Sequence, residues 1–197
     1  MVVSNELPFF CGTRDGGKFD MESACVKCGT GAVRLEPISL PGARLSQKVE
    51  RTLNWEWIIP PRLIDRMRKA VPRCLREIRD SKEQKVLSHF ELIPEVILPK
   101  WDPRTTGWCA SKMDPPCSLC NRDGFYGIPH VPLQLVYSGQ LPAFDVAETY
   151  ECFGRSVLRP DFTKSGFARP KLVVSEVIKN ILEGERGVDF ERVTYYP

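Results

Sequence analysis

The sequence predicts an α+β protein built from two related halves, each a cysteine knuckle followed by antiparallel strands and a short helix. Three observations carry this expectation. Two Cys-x-x-Cys pairs, Cys25-Val-Lys-Cys28 and Cys117-Ser-Leu-Cys120, sit far apart in the chain. Each is followed by the same succession of extended runs and then a short helical pattern, the self-similarity expected of an internal duplication. The extended runs are short and separated by many of the 17 prolines, which suit turns and rigid connections.

In the first half, the knuckle is followed by an extended segment, Val33–Leu40, and a Thr-containing strand within Val49–Glu56. An apolar step, Ile58-Ile59-Pro60-Pro61, leads into a helix over Arg62–Lys69. Proline is tolerated in the first turn of a helix, so Pro60-Pro61 suits its entrance, and Pro72 ends or kinks it. The charged run from about Arg73 to Lys85 predicts a second helix with Cys74, Leu75 and Ile78 turned inward. His89–Leu98 reads as a strand bridging the halves, and Pro99–Pro116 as a surface excursion.

In the second half, Pro132–Tyr137 and the Thr149-containing run Val146–Phe153 read as strands, and Leu172–Val174 leads into a helix over Ser175–Leu182. Ser175 is a good N-cap, and Glu176 lies near the positive end of the helix dipole. Val177, Ile178, Ile181 and Leu182 fall on one apolar stripe. Gly184 and Gly187 end that helix, and Val188–Arg192 opens an alternating final strand. The halves divide as 1–88 and 89–197, or merge into one domain.

The paired cysteines point to a metal. A tight turn brings residues i and i+3 together, so each knuckle places two thiolates on one ion, and two knuckles supply the four sulfurs of a tetrahedral structural zinc site. Gly29 after Cys28, and Asn121 after Cys120, can take the left-handed conformation that a knuckle needs. Three arrangements compete. One site joins Cys25, Cys28, Cys117 and Cys120 across the halves. Alternatively, two sites each recruit an upstream cysteine, Cys11 for the first and Cys109 for the second, or the pairs remain bare thiols. His130, between two prolines, is a further candidate ligand with no supporting ligand spacing. Cys74 and Cys152 sit within apolar patterns and read as small buried hydrophobes.

Composition narrows the function classes. The net charge of +3 from 28 basic and 25 acidic residues is too balanced to signal nucleic acid by itself. The basic residues between Arg62 and Lys85 are interleaved with acids and read more simply as a solvated face than as a DNA reader. No apolar run is long enough for a membrane span, and no signal peptide is evident, which favours a reducing cytoplasm and metal-bound thiols over disulfides. No glycine-rich phosphate loop, G-x-S-x-G or H-E-x-x-H pattern occurs, so no catalytic residue is predicted. Asp145, Glu148 and Glu151 gather on one strand. A solvated sheet face is the ordinary reading, and an acidic surface that meets a basic partner is the functional one.

The motif Ala24-Cys25-Val-Lys-Cys28-Gly29, the run His89-Phe-Glu-Leu-Ile-Pro, the second motif Pro115-Pro116-Cys117-Ser-Leu-Cys120 and the ending Val173-Val-Ser-Glu-Val-Ile…Gly187-Val-Asp-Phe…Tyr196-Pro resemble the double-CxxCG proteins of myxobacteria. The better-known members are regarded as immunity proteins to contact-delivered swarming-inhibition toxins. The resemblance implies that Cys25, Cys28, Cys117 and Cys120 are the paired motif cysteines, and that the chain is a non-enzymatic zinc-binding protein whose partner is a cognate toxin. The alternative is a zinc-ribbon-like nucleic-acid-binding or regulatory protein using the basic stretch.

Overall fold

The computed structural model describes residues 2–3, 9–10, 19–20, 22, 24–27, 30–40, 45–52, 56–107, 117–122, 133–153 and 169–197. In chain order the strands are β1 (Val2–Val3), β2 (Phe9–Phe10), β3 (Phe19–Asp20), β4 (Val33–Arg34), β5 (Ser39–Leu40), β6 (Glu50–Thr52) and β7 (Trp57–Ile59). Helix α1 (Pro61–Ala70) and a 3-10 turn (Pro72–Cys74) precede β8 (Leu75–Asp80), β9 (Val86–Leu92) and β10 (Val96–Ile97). Then come β11 (Val136–Ser138), β12 (Val146–Phe153), β13 (Arg169–Val174), α2 (Glu176–Leu182), β14 (Phe190–Glu191) and β15 (Thr194–Tyr196). The α+β class is as expected. Among the described residues no helix is long and apolar enough to cross a membrane.

Two sheets dominate. The first runs β2-β6-β7-β9-β8-β5 and the second β10-β12-β13-β1-β14. Their strand directions follow one pattern. An outer parallel pair, β2 with β6 or β10 with β12, is followed by three antiparallel pairings. In both sheets the helix leaves the second strand of the first antiparallel pair, α1 after β7 and α2 after β13. Two features differ. The first sheet carries a sixth strand, β5, parallel to β8, with no counterpart in the second. The strand beside β7 is β9, from the same stretch of chain, whereas the strand beside β13 is β1, from the far N-terminal end. The two smaller elements are the β3–β4 hairpin and a parallel β11–β15 ribbon.

Strand alternation divides the core. Trp57 and Ile59 of β7 face the helices, while Ile58 between them faces the other side with Ile38, Leu40 and Ile78. Val174 of β13 joins the helical side, and Val173 faces a separate cluster with Leu98, Leu135, Tyr137 and Phe153. The helical layer is common property of both halves. Leu63, Ile64 and Met67 of α1 pack in one cluster with Ile178, Ile181 and Leu182 of α2. Fully burying each such side chain contributes roughly 1.5–3 kcal/mol. Val177, expected on the α2 stripe, is instead 51% exposed, because the helix is short and docks through its 178/181/182 edge.

The charged run 73–85 is a hairpin rather than a helix. Leu75–Asp80 pairs antiparallel with β9, and the turn is closed by the Asp80 carboxylate, which accepts the Lys82 and Glu83 N–H groups at 2.8 and 2.9 Å. Gln84 supplies the left-handed residue at φ 55°. Helix propensity is a weak prior, and pairing with a long central strand overrides it. Cys74 and Ile78 are fully buried all the same, and Leu75 is half-buried. His89–Leu98 does bridge the halves, since it ends β9 in the first sheet and forms β10 in the second. The expected boundary at 88/89 therefore falls inside β9. The final strand is split: β14 joins the second sheet and β15 the ribbon with β11. Of the expected excursion 99–116, residues 99–107 lie against the protein, with Thr105 buried and Thr106 bridged to Gln134; residues 108–116 lie outside the described residues.

Candidate metal centre

The first knuckle lies in the loop of the β3–β4 hairpin. The Cys25 N–H donates to the Thr30 carbonyl at 2.9 Å, and Gly31, at φ 96°, turns the chain into β4. A side chain with a Cβ rarely adopts that φ, so a glycine there has a physical reason. The second knuckle is a turn over residues 118–120 in which the Asn121 N–H donates to the Cys117 carbonyl at 2.8 Å. Asn121 adopts φ 56°, the left-handed geometry expected of it.

The two knuckles meet. The thiol sulfurs of Cys25, Cys117 and Cys120 all lie within 4.8 Å of one another, although Cys25 is 92 residues from Cys117. Cys25 Sγ and Cys117 Sγ are 3.8 Å apart. Four sulfurs held about 2.3 Å from one tetrahedral ion lie about 3.8 Å apart along each edge, so the Cys25–Cys117 separation is one that two ligands of a shared metal would have. The donor set fits the group: three soft thiols, with Cys117 buried and Cys25 and Cys120 half-buried. Of the three arrangements open to the sequence, this geometry is that of the site spanning the halves. Cys28, Cys11, Cys109 and His130 lie outside the described residues.

Polar contacts that the motif spacing did not announce hold the knuckles in place. At their tips Lys27 Nζ donates to Ser118 Oγ at 2.6 Å, clipping one turn to the other. Arg34, at the end of the first hairpin, pairs with Glu56 just before β7, and both side chains are nearly buried. Glu91 of β9, paired with Arg76 at 2.8 Å, lies close enough for its charge to feel this pair. Burial raises the Glu91 pKa, and the Arg76 guanidinium opposes that rise. The second knuckle is anchored to the other sheet. Arg122 Nε donates to the Tyr150 carbonyl at 3.0 Å, its guanidinium lies 4.6 Å from the Tyr150 ring, and the Cys152 N–H donates to the Arg122 carbonyl. A metal at this point would therefore tie the chain entering β7 of one sheet to β12 of the other.

The acidic strand residues do not form one open surface. Glu151 is 3% exposed and turned inward, where one carboxylate oxygen accepts the Trp101 N–H at 3.1 Å. Burial raises its pKa, and burial with the nearby Glu151 charge raises that of Tyr137. Asp145 is half-buried and accepts the Ser175 hydroxyl at 2.8 Å, so Ser175 stabilises the β12–α2 junction and makes no side-chain cap on α2. Glu148 is half-buried. A register shift in β12 between Glu148 and Cys152 explains the inward turn: Thr149 Oγ1 fills the gap, accepting the Lys171 N–H at 3.0 Å and donating to the Glu151 carbonyl at 2.6 Å.

The remaining single residues are structural. Cys74 is fully buried, and burial with the nearby Glu95 carboxylate pushes its thiol up to about 12. Cys152 is 2% exposed, and His89 Nε2 bonds the Ser46 carbonyl at 2.8 Å. The basic stretch is dispersed: Arg62 pairs with Glu185, Arg76 with Glu91, and Arg68 lies 4.7 Å from the Phe90 ring. No family model, curated protein or solved structure matches the chain.

Proposed function

We propose that the chain is a non-enzymatic immunity protein that binds and neutralises a cognate bacterial toxin in the cytoplasm, with one structural zinc ion on Cys25, Cys28, Cys117 and Cys120. The observation that carries this reading is the convergence of thiols from the two Cys-x-x-Cys motifs, the motifs by which the chain resembles the double-CxxCG proteins. Thiolates in a closed four-sulfur set make a structural site, because catalysis at zinc needs an open position. The shared order and direction of strands in the two sheets supports an origin by internal duplication, with the zinc joining the duplicated halves. A protein of this kind works by covering its target with a complementary surface and turns nothing over.

The test is co-expression with the toxin encoded beside its gene. Protection of the cells, together with a stoichiometric complex of the two purified proteins, is expected. Absence of protection combined with salt-sensitive binding to duplex DNA would replace this reading with the nucleic-acid one.

A further inference from the structure

The two knuckles keep their thiols adjacent by means other than a metal. The Cys25 turn is closed by its bond to Thr30, the Cys117 turn by the bond from Asn121, and the Lys27–Ser118 bond clips the tips together. These contacts leave Cys25 Sγ and Cys117 Sγ 3.8 Å apart. A disulfide requires about 2 Å, so closure asks for a shift of roughly 2 Å, within reach of two side-chain rotations. Closure between Cys25 and Cys117 leaves both knuckle turns as they are. Closure within the second knuckle instead reshapes the turn that the Asn121–Cys117 bond holds. Cys25 and Cys120 are half-buried, so a small oxidant reaches the cluster, whereas Cys74 and Cys152 are shielded.

We propose that the metal centre is also a redox-convertible staple: a peroxide-class oxidant releases the metal and joins Cys25 to Cys117, leaving the two halves covalently linked. The inference rests on the zinc reading only for the resident metal. The Cys25 thiolate attacks the peroxide, forming a sulfur–oxygen bond as the O–O bond breaks and hydroxide leaves. The Cys117 thiolate then attacks that sulfenic sulfur, forming the disulfide and expelling a second hydroxide. Two electrons pass from the two sulfurs to one peroxide, and two protons from solvent convert the hydroxides to water. With two ligands gone, the remaining thiolates hold the ion weakly and it leaves.

The experiment treats the full-length purified protein with hydrogen peroxide, reads metal release with a colorimetric chelator, and maps disulfides by mass spectrometry of non-reduced tryptic peptides. Cleavage after Lys27 separates Cys25 from Cys28, so the partner on the first knuckle is read directly. The expected product links the Cys25 peptide to the Cys117/Cys120 peptide, with about one metal released per disulfide. Fragmentation of the linked peptides should place the bond on Cys117 rather than on Cys120, so the pairing is read in the unaltered, folded protein. Local Cys117–Cys120 or Cys25–Cys28 disulfides as the main product, or sulfinic acids without a cross-link, would overturn the staple. Metal content of the untreated protein separates the two readings. A cross-link in protein that never held metal keeps the staple and removes the zinc, whereas metal-loaded protein that yields no cross-link does the reverse.

Discussion

Five strands of the first sheet, all but its outer strand β5, share an order with the five of the second, and the two sets differ in where one strand comes from. In the first, the place beside β7 is filled by the seven-residue β9, which arrives through the β8–β9 hairpin a few residues after α1. In the second, the place beside β13 is filled by β1, two residues long and contributed by the opposite end of the chain. The first sheet is thus assembled from nearby sequence, and the second needs a long loop to close before it is complete. Local pairings close at low entropic cost and distant ones do not, so the second sheet is the part of the molecule that depends on connections made elsewhere. The cysteine cluster is the other such connection, because a metal on it would fix the knuckle anchored on β12 to the knuckle anchored beside β7.

Removing the thiols that would hold the metal should have the largest effect. Structural zinc contributes on the order of 10 kcal/mol in metal-dependent domains, comparable to the whole stability of an ordinary domain. Cys117→Ser should therefore lose most of its cooperative thermal transition, and a strong chelator should do the same to the unaltered protein. Hydrogen exchange should show protection lost first in β12 and β13, and retained longest in the β8–β9 hairpin. Equal and simultaneous loss in both sheets would mean that the shared helical layer, rather than the metal, governs the second half.

A smaller effect should follow from blocking the borrowed strand. Val2 pairs with Val173 on one side and Glu191 on the other, so a proline there removes a ladder hydrogen bond from an interior strand. Val2→Pro should cost about 1–3 kcal/mol, the range for leaving a buried backbone group without its partner. The loss of exchange protection should be confined to β13 and β14, with β7 and β9 unaffected. If the melting temperature and exchange pattern do not change, β1 is dispensable and the second sheet is as self-sufficient as the first.

How much of this was legible in the sequence follows from the same contrast. The turn at Cys117–Cys120, the helix after Pro60-Pro61, the helix after Ser175 and the strand containing Thr149 are written in local pattern, and each forms near where that pattern puts it. The 73–85 segment misleads because Arg, Lys and Glu are good helix formers, while the partner that makes it a strand, β9, lies outside any local window. The insertion of β1 between β13 and β14 leaves no local trace either. At the site, cysteine spacing marks the ligands, but the residues that aim them, Arg34, Arg122 and Lys27, look like any other surface cations until their distant partners are known. Strand alternation alone does not reveal a bulge, so by sequence Glu151 looks like a residue of a solvated sheet face.

The smallest predicted effect concerns that buried carboxylate, and it sharpens the contrast between the sheets. Glu91 in the first sheet has an arginine partner, whereas the second oxygen of Glu151 is buried without a hydrogen-bond partner among the described residues. Desolvation raises the Glu151 pKa; the Trp101 N–H and the charges of Lys100 and Arg122 oppose the rise but do not cancel it. A carboxyl whose pKa is higher in the folded state favours folding while protonated. That contribution is fully present below the ordinary glutamate pKa of about 4.3, and is lost as pH rises through the raised value. Glu151→Gln keeps an acceptor for the Trp101 N–H and removes the charge. It should therefore match the unaltered protein near pH 4 and exceed it in stability at pH 7. Denaturant melts across that range read the difference. A variant less stable at pH 7 than the parent would show that Lys100 and Arg122 compensate the buried charge, and that the second sheet gains from Glu151 as the first does from its Glu91–Arg76 pair.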